Sequence, residues 1–280
     1  MSPVAVVTDS TADLGDLATQ AHISVVPLTV SFGSQHFRDG VDLSREDFYQ
    51  RLAASSHTPA TAQPAPSAFA ELYEGLLAAG ATGIMSLHCS GALSGTYNSA
   101  VRAAKDVDPN RIAVIDTRSV SLGLGLLALQ AADDASHGLP LASIEQRVRD
   151  DSPKLELYAT IPSLTYLARG GRIGQLQSLL GNVLRIVPII TLKDGEVAEH
   201  SKVRTFARSV DQMVQIVTSR IPRPGHAKVA VLHSVAADLA ESVARRIQTA
   251  VAPALLISEC VGPTVGTHTG PGAVGVVFIP

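Results

Sequence analysis

The sequence predicts a two-domain α/β protein. Residues 1–152 read as an N-terminal, three-layer, parallel-sheet domain of Rossmann-like kind, and residues 153–280 as a C-terminal, two-layer, mixed-sheet domain. Three observations predict this. The first half alternates short β-like runs with helix-like segments, the order expected when crossover helices join parallel strands. The second half packs six β-like runs together with fewer helices between them, which suits a mixed sheet covered on one face. The chain has 280 residues, 46% hydrophobic and 17% charged, enough for two apolar cores.

In the first half, PVAVVT (Pro3–Thr8) is a strand. DSTADLGDLATQAH follows as a helix, with Leu14, Leu17, Ala18 and Ala21 on one face and Ser10 or Thr11 as its cap. SVVPLTV (Ser24–Val30) is a second strand. SREDFYQRLAAS (Ser44–Ser55) opens on a cap and an acidic first turn, so it is a helix. HTPATAQPAPS (His57–Ser67) is a proline-stiffened loop, and SAFAELYEGLLAAG (Ser67–Gly80) is a helix with a glycine stop. GIMSLH (Gly83–His88) and RIAVID (Arg111–Asp116) are strands, with a helix opening in GTYNSAVRAAK between them. Two helices, LGLGLLALQAADDASHG and LASIEQRVRDD, lead to a boundary near Ser152–Pro153. The strands ELYATI, RIVPIITL (Arg185–Leu192), EVAEHS, KVAVLH, ALLISEC and AVGVVFI then form the second sheet.

Composition narrows the function. A net charge of −3 gives no electrostatic reason to expect nucleic acid, and no apolar run is long enough to span a membrane. The first residues, MSPVAVVTDS, lack a basic region followed by a long apolar stretch, so a cytoplasmic location is expected. Two cysteines, Cys89 and Cys260, read as buried thiols rather than a disulfide. No H-E-x-x-H or Cys-x-x-Cys occurs, so neither a metal nor a cofactor is expected.

GALSGTYNSA (Gly91–Ala100) is the most informative stretch. A strand, a small-residue loop and a helix start expose free N–H groups at a positive helix end, and Ser94 and Thr96 add hydroxyls. A plain capped turn explains the loop equally well. A nucleophilic Ser94 has less support, because no G-x-S-x-G elbow and no assigned base accompany it. Thr61 and Gln63 sit in the proline-rich loop, where a stiff backbone could present a hydroxyl or merely connect. GLGLLA (Gly123–Ala128) imitates a dinucleotide fingerprint but is too far from the preceding strand, so it reads as helix packed through glycine. YLARGGRIG (Tyr166–Gly174) ends a helix in Gly-Gly flanked by Arg169 and Arg172. A further arginine, Arg204, lies in SKVRTFARS. GTHTGPGA (Gly266–Ala273) sets His268 in a glycine-rich loop.

Together, VTDSTADL, PATAQPAPSAF, ALSGTYNSA, LTYLARGGRIG and HTGPGAVGVVF resemble, in order and spacing, the DegV family of bacterial lipid-binding proteins. The likeness covers essentially the whole chain. Ala62 departs from the family's Thr-Ser-Gln-Pro, while Thr61 is retained. The resemblance implies a long-chain fatty acid such as palmitate held between the two domains. It implies that Thr61 and Ser94 bind the carboxylate, with Gly95, Thr96 and His268 nearby. It also implies a carrier without catalysis of its own, which presents the acid to a separate fatty acid kinase for acyl phosphate formation. Arg169, Arg172 and Arg204 form the expected surface for such a partner. Two other classes stay open: a hydrolase or acyl transferase using Ser94, and a phosphate- or nucleotide-binding regulator.

Overall fold

A computed structural model describes residues 4–179 and 186–280. Pro3 of the first expected strand, with the two residues before it, and Arg185 of RIVPIITL lie outside the described residues.

The first half builds β1 (Val4–Asp9), α1 (Asp16–Gln20), β2 (Ile23–Val26), β3 (Thr29–Phe32), β4 (Gln35–Arg38), α2 (Arg45–Ala54) and β5 (Ala60–Ala62). It continues with α3 (Pro66–Ala78), β6 (Gly83–His88), α4 (Thr96–Val107), β7 (Ile112–Asp116), α5 (Leu122–Ser136) and α6 (Leu141–Asp151). The main sheet is all parallel, in the order β2-β1-β6-β7. β1 shows why such a strand needs cover on both sides. Val4 and Val6 face α5 and α6, whereas Val7 faces α3 and α4.

Three expectations differ from the structure. SVVPLTV is not one strand but two, β2 and β3, divided at Pro27, which has no N–H for a ladder. β3 leaves the parallel sheet and forms a small antiparallel sheet in the order β4-β3-β5. The proline-rich segment is therefore not only a loop, because Thr61 pairs with Val30 inside it. The helix expected from Asp9 is interrupted: a short 3₁₀ turn, Ser10–Ala12, ends at Asp13, whose φ is 54°. Ser10 and Thr11 do not cap it. Asp9 accepts the Thr11 N–H at 3.1 Å, and Ser10 Oγ accepts the Leu28 N–H at 3.0 Å.

The second half builds β8 (Glu156–Thr160), α7 (Thr165–Arg169), β9 (Val187–Lys193), β10 (Glu196–Val203), α8 (Phe206–Arg220), β11 (Lys228–His233), α9 (Ala237–Val251), β12 (Leu255–Cys260), α10 (Pro263–Thr269) and β13 (Val274–Ile279). Its sheet runs β10-β9-β8-β13-β11-β12, antiparallel except where α9 joins β11 to β12. The parallel sheet expected of the first half and the mixed sheet expected of the second are thus the ones found. Ser152–Pro153 lies in a 3₁₀ turn between α6 and β8.

One face of the second sheet is covered by Val210, Met213 and Val217 of α8 and Val243 and Ile247 of α9. Its other face meets α5. That helix is apolar nearly all round, which suits burial on every side. Leu124, Leu127 and Ala131 pack on the parallel sheet, while Leu122 and Leu126 pack against Leu157, Leu232 and Val277 of the mixed sheet. Each buried leucine is worth about 1.5–3 kcal/mol. GLGLLA is indeed helix interior: a side chain on Gly125 would run into the carbonyl of Ala12.

Candidate functional site

A cavity opens where the two sheets face one another, lined mainly by apolar side chains such as Leu28, Leu93, Val120, Leu167, Ile190 and Leu232. Its free volume is about 110 Å³. Polar side chains interrupt the apolar wall, among them Thr61, Ser94, Arg172 and His268, drawn from four separate stretches of sequence.

Each arrives by a local rule. Thr61 is positioned by its antiparallel pairing with Val30. Ser94 ends the loop after β6, where its N–H donates to Ser90 O at 3.0 Å and its Oγ accepts the Thr96 N–H at 3.3 Å. The Ser94 and Thr96 hydroxyls pair at 2.9 Å. Thr96 itself is buried and does not line the cavity. Gly95 does not line it either: its α-carbon faces the Gln63 amide so closely that a β-carbon would collide with it. Gln63 in turn donates to Ser99 Oγ at 3.3 Å, tying the β5 segment to α4.

His268 belongs to the last turn of α10, not to a loop. Pro263 fits the first turn of that helix, and Gly270 follows its end with φ 67°. The imidazole Nε2 pairs with Thr61 Oγ1 at 3.0 Å, and Nδ1 is buried without a partner among the described residues. The ring lies against Gly170, where any side chain would overlap it. Burial, followed by the nearby Arg172 charge, pushes the His268 pKa down to about 4. The ring is therefore neutral at neutral pH.

Arg172 turns inward. Its Nε donates to Leu93 O at 3.0 Å and its Nη1 to Gly170 O at 2.7 Å, closing the rim between the two halves. Arg169 and Arg204 are exposed and apart from the cavity, and neither pairs with a carboxylate among the described residues. Ser94 hydrogen-bonds no histidine or acid among the described residues.

An acid–imidazole–hydroxyl chain does exist nearby, but elsewhere. Asp9 Oδ2 pairs with His88 Nδ1 at 2.9 Å, His88 Nε2 with Ser86 Oγ at 2.7 Å, and Ser86 Oγ with Tyr73 OH at 2.7 Å. Ser86 and His88 are 0% exposed, so this chain ties β1, β6 and α3 together and meets no solvent.

Sequence reasoning missed Cys89 and Thr264 on the cavity wall. Burial raises the Cys89 pKa well above its ordinary value, so it is a neutral thiol. Among the described residues, no cluster of three or more His, Cys, Asp or Glu could hold a metal, and no helix is long and apolar enough to cross a membrane.

A family profile described as an uncharacterised protein of the DegV family matches residues 3–280. The chain is 38% identical over 280 residues to a DegV domain-containing protein of Streptomyces coelicolor, across 98% of this chain and 97% of that one. Among solved structures, a DegV family protein of Thermus thermophilus described by its fatty acid binding superposes with a TM-score of 0.93 at 30% identity, across 100% of this chain and 99% of that one. DegV of Bacillus subtilis, described as a fatty acid binding protein, superposes with a TM-score of 0.90 at 26% identity, across 99% of each chain.

Proposed function

The chain belongs to the DegV family, and from that premise we propose that it binds a long-chain fatty acid, with Thr61 and Ser94 on the carboxylate and the tail in the apolar cavity. The observation that carries the reading is that Thr61, Ser94 and His268, from three separate segments, line one mainly apolar cavity, with Thr61 and His268 hydrogen-bonded to each other. A carboxylate accepts hydrogen bonds only, so it needs hydroxyl and N–H donors. A neutral His268 protonated at Nε2 donates to Thr61 Oγ1, which leaves the threonine proton free for the ligand. That tautomer also leaves Nδ1 as a bare acceptor, consistent with its lack of a partner.

Burying about 14 methylenes at roughly 0.8 kcal/mol each gives a gross gain near 11 kcal/mol, much of it offset by ordering and lost translation. The tail thus supplies affinity and the polar end supplies orientation. The free volume of about 110 Å³ is below the roughly 300–1,000 Å³ of ordinary ligand pockets. Binding therefore displaces wall side chains, among which Leu93 and Leu192 are partly exposed.

The protein acts as a cytoplasmic carrier. It presents the carboxylate to a kinase for acyl phosphate formation, with the exposed Arg169 and Arg204 facing that partner and Arg172 holding the rim. Native mass spectrometry of the purified protein tests the reading. A bound acid of palmitate size, or its uptake on titration with palmitate, is expected. A protein that takes up neither palmitate nor a longer or unsaturated acid overturns it.

A further inference from the structure

Two aspartates outside the lipid cavity reach across to α10. Asp13 Oδ1 accepts the Gly262 N–H at 2.8 Å, and Asp39 Oδ2 accepts the Thr264 N–H at 3.1 Å. Both carboxylates are buried, Asp13 at 3% and Asp39 at 4% exposure. They crowd the same glycine: a β-carbon on Gly262 would come within 3.0 Å of Asp13 Oδ1 and 3.4 Å of Asp39 Oδ1.

Asp13 is itself held in place. Its φ of 54° lies in the left-handed region, which aspartate tolerates better than most residues. Ser121, just before α5, donates to Asp13 Oδ2 at 2.5 Å. Arg45 of α2 donates to Asp13 O at 2.7 Å and to Glu259 of β12 at 2.5 Å. The parallel sheet, α2, α5 and β12 thus all converge on the start of α10.

α10 has 7 residues, too few to be a stable helix alone. Its start is held by two carboxylates, where one side-chain acceptor is usual. Its wall and end carry Val265, His268 and Thr269 into the lipid cavity. We infer that Asp13 and Asp39 are positioning residues that seat α10, and through it His268, against the lipid cavity. This rests on the lipid-binding reading for its functional meaning, though not for its geometry.

The clamp changes charge near neutrality. Burial pushes Asp13 up to about 7, opposed in part by Ser121, Gly262 and Arg45 and reinforced by Asp39. Burial also raises Asp39. The groups facing the pair are Arg45 and Tyr49 of α2, His233 of β11, Glu259 and Cys260 of β12, and Asp9 and Asp16 in the adjoining cleft. Burial raises Tyr49 and Cys260, so both are neutral at pH 6 and pH 8, burial lowers His233, and Arg45 is the permanent cation. Because burial opposes the charge, Asp13 holds its proton more tightly with α10 seated than when an opened α10 lets water reach it. The helix is therefore held more firmly at pH 6 than at pH 8.

Hydrogen-exchange mass spectrometry of the α10 amides, corrected for intrinsic rates, tests this in ligand-free protein at both pH values, alongside palmitate dissociation rates. Asp13→Ala, which removes the acceptor, should speed α10 exchange about tenfold at pH 6 and palmitate release by a similar factor. Asp13→Asn, which cannot ionise, should abolish the difference between pH 6 and pH 8 that the unaltered protein shows. Asp39→Ala should speed exchange in the same sense as Asp13→Ala. If Asp13→Ala does not fold, Ser121→Ala, which removes the hydroxyl given to Asp13, replaces it for the exchange comparison at pH 6. Unchanged α10 exchange in the variant that folds, or an unchanged pH dependence in Asp13→Asn, overturns the clamp even if palmitate binds. Faster exchange in a protein that binds no palmitate keeps the clamp and removes the lipid reading instead.

Discussion

Thr61 and His268 stand 207 positions apart in sequence and meet at 3.0 Å. A three-residue strand brings one and the last turn of a short helix brings the other. Because the imidazole is neutral, the contact fixes a hydroxyl without adding a charge beside it. A hydroxyl held from behind can aim its own proton at an anion in front.

If Thr61 and Ser94 grip one carboxylate, removing either donor deletes a hydrogen bond to a charged group, worth about 1.5–3 kcal/mol. Thr61→Val and Ser94→Ala should each weaken palmitate binding by roughly tenfold to a hundredfold. Palmityl alcohol should bind the unaltered protein less well and respond little to either substitution. In a double-mutant cycle the two losses should be non-additive. Equal affinity for alcohol and acid would rule out the carboxylate grip.

Gly170→Ala tests how closely the histidine is packed. The added methyl overlaps the His268 ring, while the backbone at Gly170 is ordinary for any residue. Overpacking of this kind costs about 1–3 kcal/mol. The variant should lose both stability and palmitate affinity, and His268→Ala should relieve most of the stability loss by removing the obstacle. A Gly170→Ala penalty of the same size in both backgrounds would show that the ring does not bear on that glycine.

His268 should leave a signature in stability against pH. Its folded pKa, pushed down to about 4 from 6.5 chiefly by burial, means that the unfolded chain takes up the proton first as pH falls. Stability is then full above about 6.5 and falls as pH drops toward 4, by roughly 2–3 kcal/mol. His268→Gln removes this group but leaves Asp13 and the other acids in place. The unfolding free energy by urea, unaltered protein minus variant, should therefore decline from pH 7 to pH 4.5. A difference that stays level across that range would mean a solvated ring.

Much of the fold was legible because its signals are local. The valine alternation of β1, the Ser44 cap of α2 and the apolar periodicity of α4 each depend on a handful of adjacent residues. The small β4-β3-β5 sheet was not legible, since β5 is 3 residues long and finds its partner across a hairpin and a helix. For the site, hydroxyls at a strand-to-helix corner marked the loop of Ser94 as competent to meet an anion. No spacing rule placed His268 beside Thr61 or turned Arg172 inward, because those contacts join distant segments. The aspartates on α10 were hidden for a similar reason. Asp13 lies within VTDSTADL, but what it caps is 249 positions away.

α5 makes the two sheets mutually dependent. Leu122 and Leu126 are buried in the core cluster of the mixed sheet, and Leu124 and Leu127 in that of the parallel one. A fragment cut at residue 152 would carry half of that helix bare in water and would aggregate rather than fold. The boundary expected near Ser152–Pro153 would thus divide the chain's layout without marking a place where the molecule comes apart. In a calorimeter, both sheets should melt as a single transition.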